Sequence, residues 1–245
     1  MKIIVSADYI EMSRLAAAHL ARLIRENPKI VLGLPTGSTP LGMYRNLVEM
    51  HKQSKLSFKG VTSFNLDEYI GLRPGHKNSY RYYMYENFFK HVDILEHNIN
   101  IPDGNSEDLE QECIDYEKKI SDAGGIDLMI LGLGSNGHIG FNEPADHFPV
   151  ATHVTELDES TIQANARFFD SIDQVPRLSI TMGIGSIMRC RQILLLASGK
   201  AKARAIGAAL EGPVTPKLPA SILQFHPDVT VILDADAASQ LTRLL

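Results

Sequence analysis

The chain of 245 residues contains no tryptophan and only two cysteines, Cys113 and Cys190. Neither has a second cysteine at metal-ligand spacing, which excludes a Cys-based zinc site and a disulfide scaffold and suits a reducing cytoplasm. No apolar run approaches the length of a membrane span. The N-terminus reaches Asp8 before any signal-peptide stretch develops, so a cytoplasmic protein without a leader is expected. The net charge of −5 comes without a basic run, so nothing indicates a nucleic-acid surface, and an anionic ligand must be held by a local site. What is present, 44% hydrophobic and 22% charged residues, is the composition of a globular chain able to bury a core.

Short apolar runs alternate with longer amphipathic ones. KIIV leads into a helical pattern in which Leu15, Ala18, Ala21 and Leu23 lie near helical spacing. IVLGL (30–34), VTSFNLDEY (61–69), IDLMILGLG (126–134), RQILLLAS (191–198) and VTVILDAD (229–236) read as strands. Helical stretches are expected at PLGMYRNLVEMHKQ, SYRYYMYENFFKHV, residues 106–121, LSITMGIGSIMRC and KAKARAIGAALEG. This alternation predicts right-handed crossovers and a mainly parallel sheet with helices on both faces. With no internal repeat and no linker-like tract, residues 1–245 are expected to form one doubly wound, Rossmann-like α/β domain. Ligands bind such sheets at the carboxyl ends of the strands.

Four strand ends carry chemistry. LGLPTGSTP places Thr36, Gly37, Ser38 and Thr39 at a strand-to-helix turn, either a phosphate cradle or a capped tight turn; no Gly-Lys-Ser/Thr follows, so it is not a Walker A loop. In FNLDEY, strand alternation puts Asp67 in parity with Ser63 and Asn65, making it likelier than Glu68 to face a cleft. GLGSNGHIGFNEP holds a literal G-x-G-x-x-G at Gly132, Gly134 and Gly137. A dinucleotide fingerprint needs a helix to begin there; a further glycine and Pro144 follow instead, so that reading is rejected. What remains is a loop presenting Asn136, His138 and Glu143, in which a carboxylate can orient an imidazole for proton transfer. The spacing offers no second histidine for a metal. The fourth end, LLLASGK, supplies Lys200 at a helix start and, with Arg167 of NARFF, positive charge for a phosphate; each alone also reads as a solvated surface group.

LGLPTGSTP, FNLDEYIGL, GLGSNGHIGFNEP, NARFF and ILLLASGKAKA, in this order and across nearly the whole chain, resemble the glucosamine-6-phosphate deaminase family of sugar-phosphate isomerase–deaminases. The resemblance implies conversion of α-D-glucosamine 6-phosphate and water to fructose 6-phosphate and ammonia, with no cofactor and no metal. It implies that Asp67 is the base at C2, that His138 with Glu143 serves ring opening, and that Thr36, Gly37, Ser38, Thr39, Arg167 and Lys200 bind phosphate. Asn136, in the catalytic loop, stands where some members have Asp. The partner implied is a small amino-sugar phosphate, not a nucleic acid or a membrane, with a monomer or a homo-oligomer equally open.

A second departure concerns regulation. Members activated by N-acetylglucosamine 6-phosphate carry a basic pair before NARFF; here His153 and Thr155 of THVTELDES stand there, and the chain stops soon after its last predicted strand. Activation by that ligand is therefore not expected. The rivals are a 6-phosphogluconolactonase and a sugar-phosphate sensor without turnover. LDEY together with GHIGFNEP favours the deaminase over the first, and the acid–base set of Asp67, His138 and Glu143 argues against the second.

Overall fold

Helices begin where the sequence supplies side-chain caps. Asp8, Ser79 and Asp108 each accept the backbone N–H three residues on, opening α1 (Tyr9–Glu26), α3 (Tyr80–Asn87) and α4 (Leu109–Asp122); removing such a cap costs about 1 kcal/mol. The computed structural model describes residues 1–242. The other helices are α2 (Leu41–Lys52), α5 (Glu159–Asn165), α6 (Ile184–Met188), α7 (Lys200–Glu211) and α8 (Ala235–Ala238). The strands are β1 (Lys2–Ser6), β2 (Val31–Leu34), β3 (Thr62–Asn65), β4 (Asp67–Tyr69), β5 (Ile99–Asn100), β6 (Leu128–Leu131), β7 (His153–Glu156), β8 (Leu178–Thr181), β9 (Gln192–Ala197) and β10 (Val229–Asp234).

Seven strands form one sheet in the order β1-β10-β9-β6-β2-β3-β5, parallel at every pairing. Its alternating side chains separate into two cores. Met129 and Leu131 of β6 join Tyr116 of α4, Ile187 of α6 and Ile206 of α7 on one face. Leu128 and Ile130 join Met12 and Leu20 of α1 and Leu47 of α2 on the other. A slip of one residue in β6 would exchange these sets, so the hydrophobic pattern fixes the register.

Successive strands run outward from β2 through β3 to β5, and on the other side from β6 through β9 to β10. Connections diverge between β2 and β6, and a crevice opens at their carboxyl ends. The four chemically loaded strand ends belong to β9, β6, β2 and β3, which are consecutive neighbours in the sheet.

Three local expectations are corrected. VTSFNLDEY is not one strand: the chain leaves the main sheet at Leu66, and β4 joins a separate antiparallel sheet in the order β4-β8-β7. LSITMGIGSIMRC is a helix only over Ile184–Met188, because Leu178–Thr181 pairs with both β4 and β7. Gly183 caps α6 at a point where a Cβ would overlap the backbone of Val150 and Ala151. In α1 the buried stripe is Met12, Ala16, Ala17, Leu20, Ala21 and Ile24, whereas Ala18 faces solvent.

Candidate active site

The β2 end is a loop held from behind by tyrosines. The Tyr44 hydroxyl donates to Pro35 O at 2.6 Å, that of Tyr83 to Gly37 O at 2.5 Å, and that of Tyr9 to Ser38 O at 3.1 Å while accepting from Gly42 N at 2.8 Å. The carbonyls are thereby engaged on the protein side, and the amides of Gly37, Ser38 and Thr39 donate to no protein acceptor among the described residues. Gly37 sits at φ +91°, a conformation strained for any residue with a Cβ. These amides lie just before the twelve-residue α2, the kind of donor set that suits an anion.

The β6 end forms the second wall, and no helix follows it before β7. Its glycines serve a histidine: a Cβ on Gly134 would overlap the His138 imidazole. Gly137 at φ +87° lets the loop turn back, with Gly134 N donating to His138 O at 3.0 Å. Asn142 pins the loop from within through Nδ2 to Ile139 O and Met182 O, both at 2.8 Å. His138 Nδ1 lies 3.1 Å from Glu143 Oε2. Asn136 bridges the pair, donating through Nδ2 to the same oxygen at 2.7 Å and accepting from His138 N at 3.2 Å. Burial pushes the Glu143 carboxyl up. Hydrogen bonding and charge from His138, with hydrogen bonds from Thr161 and Asn136, outweigh that and hold it below the usual carboxylate range.

Asp67 and Glu68 are adjacent but differently employed. Glu68 accepts three backbone N–H bonds, from Tyr69, Tyr80 and Arg81, each at 2.8 Å, and so ties β4 to the start of α3. Asp67, only 8% exposed, is pushed up to about 8 by burial and by the charge of Glu68. It lies beside the loop that follows β6: a Cβ on Gly140 would sit 3.6 Å from Asp67 Oδ2. The Phe141 ring packs against one histidine and two tyrosines, with centroids 6.1 Å from His138, 5.6 Å from Tyr69 and 5.9 Å from Tyr80. The Tyr69 and Tyr80 rings pack together, with centroids 4.8 Å apart, and Asn165 Nδ2 donates to Tyr69 Oη at 2.9 Å.

Arg167 is exposed on the turn after α5, its guanidinium 4.7 Å over the Phe168 ring. Lys200 is exposed at the first position of α7. Lys202 is partly buried, and burial followed by the charge of Arg167 pushes its ammonium down. Thus it is Lys202 whose charge is influenced by that of Arg167. The sequence reading omitted Lys202, Tyr69, Tyr80 and Thr161. One signal was available: positions 80, 82, 83 and 85 hold half of the chain's eight tyrosines. Among the described residues no three His, Cys, Asp or Glu side chains gather to hold a metal, and no helix is long and apolar enough to cross a membrane. A separate hollow of about 410 Å³, lined by Arg25, His51, Lys55 and Asp93 among others, contains none of these groups.

Comparison with known proteins matches residues 8–232 to the family of glucosamine-6-phosphate isomerases/6-phosphogluconolactonase. A glucosamine-6-phosphate deaminase of Thermoanaerobacter pseudethanolicus is 56% identical, over 98% of this chain and 94% of its own. One of Clostridium perfringens is 53% identical, over 98% of this chain and 100% of its own. A solved structure of a monomeric glucosamine-6-phosphate deaminase superposes with TM-score 0.96 at 49% identity, covering 98% of this chain and 100% of that one. A 6-phosphogluconolactonase from Trypanosoma cruzi, 24% identical with TM-score 0.77 over 99% and 97% of the two chains, shares the fold.

Proposed function

The chain belongs to the glucosamine-6-phosphate isomerase and 6-phosphogluconolactonase family and is a glucosamine-6-phosphate deaminase; from that premise we propose that Asp67 moves the C2 proton and that the His138–Glu143 pair opens the sugar ring. The reaction converts α-D-glucosamine 6-phosphate and water to fructose 6-phosphate and ammonia. The observation that supports the assignment of roles is the approach of the buried Asp67 carboxyl to Gly140, in the loop that carries the His138–Glu143 pair.

Ring opening takes a proton from the anomeric hydroxyl and gives one to the ring oxygen. A histidine whose Nδ1 faces Glu143 keeps Nε2 for that exchange. Asp67 then takes the C2 proton as the aldehyde C1=O becomes the enol, the C2 ammonium giving up one proton and the enol oxygen gaining one, and Asp67 returns its proton to C1. This leaves C1 as CH2OH and C2 as an iminium. Water adds to C2, and the C–N bond breaks to release ammonia and the ketone. A carboxyl poised at about 8 suits a base that must also give its proton back. The substrate's ammonium at C2 favours the ionised form, since an opposite charge nearby stabilises the carboxylate.

The phosphate is assigned to the amides of Gly37, Ser38 and Thr39, the hydroxyls of Thr36, Ser38 and Thr39, and Arg167. Lys202 joins them in preference to the exposed Lys200, on the strength of its partial burial and its coupling to Arg167. Anchoring a group that does not react fixes C2 against the base. Cytoplasmic location and action as a monomer belong to the same reading, the latter supported by the monomeric neighbour. The test is ammonia release from glucosamine 6-phosphate set beside hydrolysis of 6-phosphogluconolactone. Ammonia without lactone turnover is expected, and the reverse pattern would overturn the reading.

A further inference from the structure

Thr161 is 4% exposed on the otherwise largely solvent-facing α5, with Ser160 and Gln163 beside it exposed. Its Oγ1 lies 3.4 Å from His138 Nδ1 and helps hold the Glu143 carboxyl below the usual range, while Glu143 Oε1 is buried with no hydrogen-bond partner among the described residues. We propose that Thr161 is a positioning residue that fixes the Glu143 carboxylate, and through it the tautomer and orientation of His138. This rests on the assignment of that pair to ring opening.

A hydroxyl has one proton to give. With Nδ1–H directed at Glu143 Oε2, 3.1 Å away, the Thr161 hydroxyl proton is left to turn toward the carboxylate, whose Oε2 already takes His138 and Asn136 while Oε1 has no partner among the described residues. Held in this way, the carboxylate keeps the proton on Nδ1 and leaves Nε2 free. Asp158, at the N-cap of α5, is a further charged group whose field reaches His138, and its carboxylate is engaged by Ser160 N at 2.8 Å.

The placement is specific to this helix. Ile162, the next residue, packs into the cluster of Tyr69, Phe141, Leu157 and Val175, which seats α5 against the catalytic loop. One turn on, Asn165 Nδ2 donates to Tyr69 Oη at 2.9 Å, and Arg167 follows two residues later. The element that brings a cation to the phosphate therefore also brings the hydroxyl to the histidine pair. Substrate that fixes Arg167 fixes Thr161 as well.

The test compares Thr161→Val, which keeps shape without the hydroxyl, with Thr161→Ser, which keeps the hydroxyl. Losing a hydrogen bond to a charged group predicts a fall of about tenfold or more in kcat for the valine variant. KM and inhibition by inorganic phosphate should stay within about twofold, since phosphate groups are untouched. The acidic limb of its kcat/KM profile should move to higher pH, because a carboxylate with one donor fewer holds the shared proton more tightly. Serine should restore most of the rate. If the valine protein does not fold, Thr161→Ala removes the same hydroxyl without demanding space. His138→Gln, measured in parallel, separates the two claims. An active glutamine variant overturns the assignment of the pair, whereas an inactive one beside a valine variant with wild-type rate and profile overturns the role of Thr161. A serine variant as slow as valine would also overturn it.

Discussion

Asp67→Asn should make the protein more stable, by an amount that depends on pH. The folded state holds the Asp67 proton to about 8, whereas the ordinary value is 3.8. Between those values the native state binds a proton that the unfolded chain has released, so the carboxyl lowers stability as pH rises, by up to about 1.4 kcal/mol per pH unit. At pH 7 the accumulated loss is about 4 kcal/mol, and above pH 8 it is complete. Asparagine is uncharged throughout and escapes it. At about 2–4 °C per kcal/mol for a domain of this size, the Tm of the variant should exceed that of the parent by about 10 °C near pH 7, with the two converging near pH 4. Titrations not coupled to Asp67 occur in both proteins and cancel in the difference, which retains the charge interaction between Asp67 and Glu68. The chain has no tryptophan, so melting is followed by circular dichroism or calorimetry in a series of buffers from pH 4 to 8.5. A difference in Tm that does not change with pH would refute the reasoning: Asp67 would then titrate alike in folded and unfolded chains, and burial would not tune it.

Asn136→Asp replaces an amide donor by a second anion against Glu143, so the cluster should hold a proton longer and the acidic limb of kcat/KM should rise by about one pH unit; an unmoved limb contradicts the coupling. Lys202→Met and Arg167→Met should each raise KM by about tenfold to a hundredfold, the worth of a charge-assisted hydrogen bond, while Lys200→Met stays near the parent; the opposite ranking of the two lysines would return the site to Lys200. Saturation with glucosamine 6-phosphate should be hyperbolic and indifferent to N-acetylglucosamine 6-phosphate, since His153 and Thr155 replace a basic pair; a sigmoidal curve straightened by that ligand would show regulation through other residues.

The four strand ends were legible because glycine and proline punctuate the apolar runs, and because a parallel sheet gathers its carboxyl ends on one side. Rejection of the dinucleotide fingerprint was legible for the same reason, since Pro144 forbids the helix that motif requires. Less was available where distant partners decide. β7 and β8 are four residues each and exist only through pairing with each other and with β4, which lies more than eighty residues earlier. The face of α1 was misjudged because alanines dominate it, and an alanine is nearly as content outside as inside. Lys200 and Lys202 fall in the same turn of α7. Only the position of Arg167, brought by another segment, distinguishes them. Thr161 offered no signal of its own, because its meaning comes from a loop more than twenty residues away.

The central claim is that Asp67 moves the C2 proton, and isotope exchange tests it most directly. Glucosamine 6-phosphate is incubated in D2O with the parent enzyme and with Asp67→Asn, and deuterium is followed by NMR at C2 of the recovered substrate and at C1 of the product. Binding of the substrate to the variant is established separately. The parent should incorporate deuterium at both carbons. The variant should bind substrate and incorporate none, because an amide of the same shape cannot accept the proton. Exchange at C2 in Asp67→Asn at a rate close to the parent's would contradict the account and transfer the step to another base.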